Sequence, residues 1–366
     1  MTLSVKNFLF YAIYFIMKHD IPKFSKNKFK GALMQKFLLI IVGSLFLFSI
    51  FYFVANSVNQ EEIHDIQKIS IEDIQNLHVY SDIADIEVVP TSDLKLRAKL
   101  EGKMNSSLAK KLAYTVEKQG DTLKVEVTHK EALRYAFFNI LHSKLKLTIA
   151  VPEKEWKELY VENTANQMIV EGIYGNHLQF KQTSGNMKVQ DLQAQNVEVS
   201  TTSGVIQAQN IISDQQSVRL TSGDVSLEQI ETDDLRMKAT SGTQRLVDVQ
   251  AKKMTAELTS GDIQVKQLLG EEATLKLTSG TADFTMATPL QKMLINGTSS
   301  DVRIHYTELV RDLRYTHEET SGDVVVDLTN GENSKGASIV GAGQKQLTTK
   351  FTSGTFYVSD TKDGGK

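Results

Sequence analysis

The chain has 366 residues, four prolines, no cysteine and a formal net charge of −3 at pH 7. The absence of cysteine excludes disulfides, a thiolate nucleophile, a cysteine zinc site and a lipid-modified thiol. The near-neutral balance gives no electrostatic footprint for nucleic acid, and length alone allows two or more domains.

Charge is unevenly spread. Residues 1–55 hold seven Lys and one Asp, net +6, which leaves the remainder at net −9. Residues 37–55, FLLIIVGSLFLFSIFYFVA, carry no charge and are mostly apolar, enough to cross a bilayer as a helix. Lys18, Lys23, Lys26, Lys28, Lys30 and Lys36 precede this run, and Glu61, Glu62 and Asp65 follow it. The positive-inside rule then predicts a cytoplasmic basic segment at 1–36, a single-pass transmembrane helix at 37–55 and an extracytoplasmic remainder at the cell membrane. A cleaved signal peptide is the rival reading; the full-length span and the lack of a small-x-small site favour an uncleaved anchor. The run 8–17 is too short to span, and Met17 and Met34 are alternative starts. Residues 56–68 read as a juxtamembrane linker.

From 69 to 161 strand-like alternation appears at 77–80, 85–89, 94–100, 122–128 and 145–151, without a fixed period. The stretch DIADIEV at 82–88 looks like a worn copy of a motif that recurs further on. This region is expected to be an N-terminal β cap, because an uncapped stack of strands would leave an open edge. One stretch breaks the pattern. In HKEALRYAFFNILH, residues 129–142, Leu133, Phe137, Ile140 and Leu141 share one helical face, with Phe138 beside them. Two readings stay open for these five residues: a protrusion that contacts membrane or partner, and a short helix that covers the cap.

From 162 to 360 the chain repeats. Thr-Ser-Gly starts at Thr183, Thr202, Thr221, Thr240, Thr259 and Thr278, every 19 residues, and returns at Thr320 and Thr352. Imperfect copies stand at Thr164 and Thr298. A fixed period near this length marks a solenoid, in which one supersecondary unit stacks on the next. Counting each Thr as zero, offsets 4 and 6 are mostly apolar, as in Val225 and Leu227 or Ile263 and Val265. Offset 9 adds Ile173, Leu192, Ile211, Ile230, Val249 and Leu268. Alternation of this kind predicts strands with one face inward, and each coil reads as two short strands and two turns. The glycines, Gly185, Gly204, Gly223, Gly242, Gly261, Gly280, Gly322 and Gly354, are expected at corners that require positive φ. Ser and Thr there are expected to form hydroxyl ladders along the stack. After the glycine come Val205, Asp224, Thr243, Asp262, Thr281 and Asp301, an alternation that keeps like charges off adjacent strands. The tail, 361–366, is expected to lack structure.

Chemistry is hard to find. The eight histidines are scattered, and Thr-Ser-Gly lacks the Gly-x-Ser-x-Gly frame of a nucleophile elbow. A calcium-binding nonapeptide pattern is missing too, so the Asp column reads as structural. The stretch GASIVGAGQK at 336–345 spaces its glycines like a phosphate loop, but Ala342 and Gly343 stand where Lys and Ser/Thr belong; it reads as a turn between late coils. Trp156 and Tyr160 read as packing residues near the first coil. No catalytic residue, metal site or cofactor is expected.

The Lys-flanked anchor, SDIADIEVVP at 81–90, LTIAVP at 147–152 and the Thr-Ser-Gly-Asp-Val corners together resemble the LiaG-like proteins of Gram-positive bacteria. These belong to a wider group of repeat domains labelled "putative adhesins". The resemblance implies a β-solenoid at the cell surface and offers no catalytic residues to carry over. With the repeat, it leads to the expectation of a non-enzymatic all-β module, adhesin-like or scaffolding, whose partner is an unknown cell-envelope protein or polysaccharide. It also leaves a role in envelope-stress signalling as an alternative. A carbohydrate-active β-helix enzyme is a second alternative; it would need an asymmetric cluster of carboxylates and basic residues that the sequence does not display.

Overall fold

The computed structural model describes residues 41, 43–44, 60–129, 144–164, 167–334 and 337–361. The chain divides into two compact units, Met1–Asn59 and Gln60–Lys366. Ile41, Gly43 and Ser44 are helical, and the rest of the expected span lies outside the described residues. Among the described residues no helix is long and apolar enough to cross a membrane.

The second unit is all-β, with its described strands joined in one sheet. It opens with β1 (Gln60–Ser70), β2 (Asn76–Ser81), β3 (Asp85–Thr91) and β4 (Lys95–Asn105). The one-turn helix α1 (Ser106–Ala109) follows, then β5 (Leu112–Gln119), β6 (Thr122–His129) and β7 (Lys144–Pro152). The body is β8 (Trp156–Asn163), the unbroken ladder β9 (Gln167–Ala239), β10 (Thr243–Leu258), β11 (Asp262–Leu269), β12 (Glu272–Met286) and β13 (Lys292–Tyr306). Six short strands close the unit: β14 (Leu313–Glu319), β15 (Asp323–Asp327), β16 (Glu332–Ser334), β17 (Ala337–Val340), β18 (Gln346–Ser353) and β19 (Thr355–Asp360).

In the body, parallel register equals the sequence period. Gln244 lies beside Val225, Thr243 beside Asp262 and Lys253 beside Glu272, each 19 residues away. Between β12 and β13 the step is 20, as in Glu272 beside Lys292. The winding that starts at Thr221 shows why. Val225, Leu227, Ile230, Thr232, Leu235, Met237 and Ala239 are all buried, so equivalent positions merge into one continuous core that no single winding could close. Alternation slips twice, because 228 and 229 both face outward, and so do 233 and 234. Each winding therefore has three straight runs, where the sequence suggested two. The first slip comes from a left-handed residue at offset 8, described below.

Both ends are threaded out of sequence order. At the N-terminal end β2 and β3 stack on β8 and β9, so the worn motif forms a true winding. Its corner is held by Ser81 Oγ, which accepts from the amides of Ile83 (3.3 Å) and Ala84 (2.8 Å). β6 and β7 lie on the far side of β2 and β3, and antiparallel β5 and β4 end the parallel run there. β1 pairs with β4 from Gln60–Asn105 to Ser70–Lys95. Residues 60–68, expected as linker, are therefore strand, because Ile63 and Ile69 pack against the core. At the other end β13 pairs with β18 and β19, the last strands of the chain. β14 and β15 stack beyond these. The GASIVGAGQK stretch is more than a turn: Ala337–Val340 is β17, antiparallel to β14 and paired with β16, with Val340 buried.

Candidate functional site

The eight corner glycines sit at positive φ, between +113° and +127° for six of them in the regular run, +146° at Gly322 and +126° at Gly354. A Cβ on Gly204, Gly223, Gly242, Gly261 or Gly280 would strike the carbonyl oxygen of the glycine one winding earlier. Conformation and close backbone approach thus both demand glycine. Ser184, Ser241, Ser260 and Ser279 donate backbone N–H to the Thr carbonyl of the preceding winding at 2.9–3.1 Å. The hydroxyls of Ser184, Ser241 and Ser279 reach the same carbonyls at 3.3–3.5 Å. The expected hydroxyl ladder is therefore mostly a hydroxyl-to-carbonyl ladder, with Ser–Ser contacts at Ser241–Ser222 (3.5 Å) and Ser299–Ser353 (3.1 Å). The corner is engaged in stacking and offers little to a ligand.

The Asp column also bonds forward. Asp224 accepts from the Thr243 amide (2.9 Å), Asp262 from the Thr281 hydroxyl (2.5 Å), and Asp301 from both groups of Thr355 (2.9 and 2.6 Å). The bonds from Thr355, with Arg303 nearby, hold the Asp301 carboxyl below the usual carboxylate range. Of the other predicted contact residues, Leu133, Phe137, Phe138, Ile140 and Leu141 lie outside the described residues. His129, which opens that stretch, ends β6 and gives its amide to Asp82 at 3.1 Å. Burial raises the Asp82 carboxyl despite this bond. Trp156 is buried, with the Lys154 ammonium 4.3 Å from its ring centroid, whereas Tyr160 lies on the outer face against His78.

Sequence reasoning missed two further columns. Gly172, Asp191, Asn210, Gln229, Asp248 and Gln267, all at offset 8, have φ between +51° and +65°. Asn and Asp tolerate this left-handed region and Gln less so. The second column is at offset 11: Gly175, Ala194, Ser213, Thr232, Ala251 and Gly270. All six are small. A Cβ on Gly175 would meet the Trp156 carbonyl, and one on Gly270 the Ala251 carbonyl. The side chains at offsets 10 and 12 rise on either side of this column, which makes it the floor of a furrow of about 820 Å³.

One wall of the furrow presents Tyr174, Ile212 and Leu269, which are 47%, 46% and 54% exposed. Glu155, Asp214, Glu231, Asp233 and Glu271 supply carboxylates, and Lys252 is the single cation among the described lining residues. Lys252 pairs with Asp233 at 2.7 Å. Its ammonium is held above the ordinary lysine value by Asp233 first, then by Glu271 and Asp214. Ser213 Oγ donates to Thr232 Oγ1 at 3.3 Å on the floor. Among the described residues no group of three His, Asp or Glu is placed to hold a metal ion.

Repeating windings, glycine corners and a merged core define a β-solenoid. The sequence matches the Toastrack DUF4097 family over residues 74–267 and 218–359, and the chain belongs to that family. Among solved structures it is similar to a "putative lipid binding protein" from Parabacteroides distasonis, with 16% identity, 84% of this chain and 98% of that one covered, and a TM-score of 0.42. A "putative adhesin" from Bacteroides fragilis shares 12% identity over 81% of this chain and 97% of its own, TM-score 0.39. Another from Parabacteroides merdae shares 10% over 80% and 95%, TM-score 0.36. A search of curated proteins gives no match.

Proposed function

We propose that this protein is a non-enzymatic cell-surface module, adhesin-like or scaffolding, held in the membrane by residues 37–55. The N-terminus is then cytoplasmic and the solenoid stands outside, in a Gram-positive envelope of the LiaG-like kind. The single observation that carries the reading is the furrow. Its floor keeps a small residue in every winding from Gly175 to Gly270 and so runs on across six windings, which suits an elongated partner, whereas catalysis requires one special set of groups. Tyr174, Ile212 and Leu269 stand among polar side chains along it, and its described lining residues hold no nucleophile–base pair.

Proximity labelling by the full chain in intact cells tests this. Envelope proteins should be labelled, and replacing 37–55 by a polar linker should abolish their labelling. Labelling of cytosolic proteins instead would remove the reading.

A further inference from the structure

The furrow has a charge that the protein does not balance. Glu155, Asp214, Glu231 and Glu271 make no ion pair or side-chain hydrogen bond among the described residues, while Asp233 alone has Lys252. Like charges held on adjacent strands repel, and the furrow carries a formal −4. Elsewhere the same molecule pairs outward carboxylates across windings, as Glu257 does with Lys276 (2.8 Å) and Lys238 (3.6 Å). The furrow is left acidic, and it also exposes three large apolar side chains.

Those two features meet in two windings, and Glu231 adds a carboxylate to the apolar wall between them. Ile212 and Asp214 face each other across the floor of one winding, and Leu269 and Glu271 do so three windings on. At roughly 4.8 Å per winding, the lining from Tyr174 to Leu269 runs for about 24 Å. An extended polypeptide covers that length in about seven residues. Lys252 already shows how an ammonium is received there, bonded to Asp233 and drawn by carboxylates on both sides.

We propose that the furrow binds an extended segment of a partner protein in which lysine or arginine alternates with apolar residues. This rests on the reading of the solenoid as a partner-binding module. The positive side chains lie against Asp214, Glu231 and Glu271, and the apolar ones against Tyr174, Ile212 and Leu269. A neutral glycan would use the amides and Tyr174 but would leave the carboxylates uncompensated.

The test uses the full chain in nanodiscs of zwitterionic lipid, with empty nanodiscs as blank. Fluorescence anisotropy reads three labelled probes: an alternating Lys-Leu octapeptide, its Glu-Leu counterpart and an N-acetylglucosamine oligomer. The basic peptide should bind best and weaken as salt rises. The triple variant Asp214→Asn, Glu231→Gln, Glu271→Gln should lose roughly tenfold in affinity, while melting no lower than the wild type, because these side chains are exposed and their mutual repulsion is relieved. Ile212→Ser with Leu269→Ser should weaken binding at all salt concentrations. Equal binding of the acidic peptide, tighter binding of the glycan, or no loss in the triple variant overturns the assignment. If the triple variant labels the same envelope partners in cells as the wild type, the furrow assignment falls and the module reading survives.

Discussion

A single residue type can be required or merely tolerated, depending on which corner it occupies. At the glycine corner Gly223→Ala forces an L side chain to a φ of +121° and onto the Gly204 carbonyl, and should cost about 3 kcal/mol. At the offset-8 bend the sign reverses. Gln229 holds φ +56°, a conformation that costs an ordinary residue about 1–2 kcal/mol, while glycine gives back about 0.5–1 kcal/mol in entropy. Gln229→Gly should therefore stabilise by about 0.5 kcal/mol. Urea midpoints at constant m-value check both changes. The glycine corner was legible because Thr-Ser-Gly repeats letter for letter. The offset-8 bend was not, because Gly, Asp, Asn and Gln share no letter, and Gln has no preference for left-handed backbone that would mark it. Asp301 adds a pH dependence. Its carboxyl is lowered in the folded state, mainly by the Thr355 hydroxyl, so its contribution is present above the unfolded value of about 4 and fades as pH falls through the folded value. Thr355→Val should flatten that acid limb in melting curves taken from pH 7 downward.

Whole windings show where polar residues interrupt the core. Gln244 and Gln216 are 0% and 1% exposed, and neither side-chain amide has a hydrogen-bond partner among the described residues. Gln244 lies in register between Val225 and Ile263, in a column otherwise apolar. Replacing it by Val removes the unmet desolvation cost and should stabilise by about 1–3 kcal/mol. A destabilised Gln244→Val variant in thermal melts would mean that the amide is satisfied by buried water. The C-terminal windings carry the other element-scale consequence. β18 and β19 lie between β13 and β14–β15, so truncation before Gln346 removes the surface on which β14 and β15 rest. Amide exchange should then lose protection over 313–340 while the windings up to Met286 keep theirs. Sequence order alone points to stacking of Thr320 on Thr298, but the residue after the corner carried the answer. In axial order it reads Asp301, Thr355, Asp323, which continues the Asp–Thr alternation; in chain order two Asp would meet. The furrow escaped notice for a related reason: its floor is a column of small residues, which carry no hydrophobic period, and only its walls are chemical.

At the scale of the molecule, stability in such a stack is close to a sum of windings and their interfaces, so one whole winding can be removed without breaking the register. Deletion of 240–258 takes out 19 residues and joins Ala239 to Thr259, with the glycine column and core intact. It also brings Asp262 into the place of Thr243, directly above Asp224, at roughly 4.8 Å per winding. The bond from Thr243 to Asp224 is lost and two carboxylates face each other. The shortened protein should keep its β circular dichroism and melt cooperatively, but should be weaker by more than one winding's share. Asp262→Thr in the deleted background should recover about 1–2 kcal/mol. The same substitution in the full-length chain removes the partner of Thr281 and should destabilise. The rescue should fade below about pH 4, where the carboxylates are neutral. If Asp262→Thr has the same sign in both backgrounds, the alternation of Asp and Thr does not act through contacts between neighbouring windings.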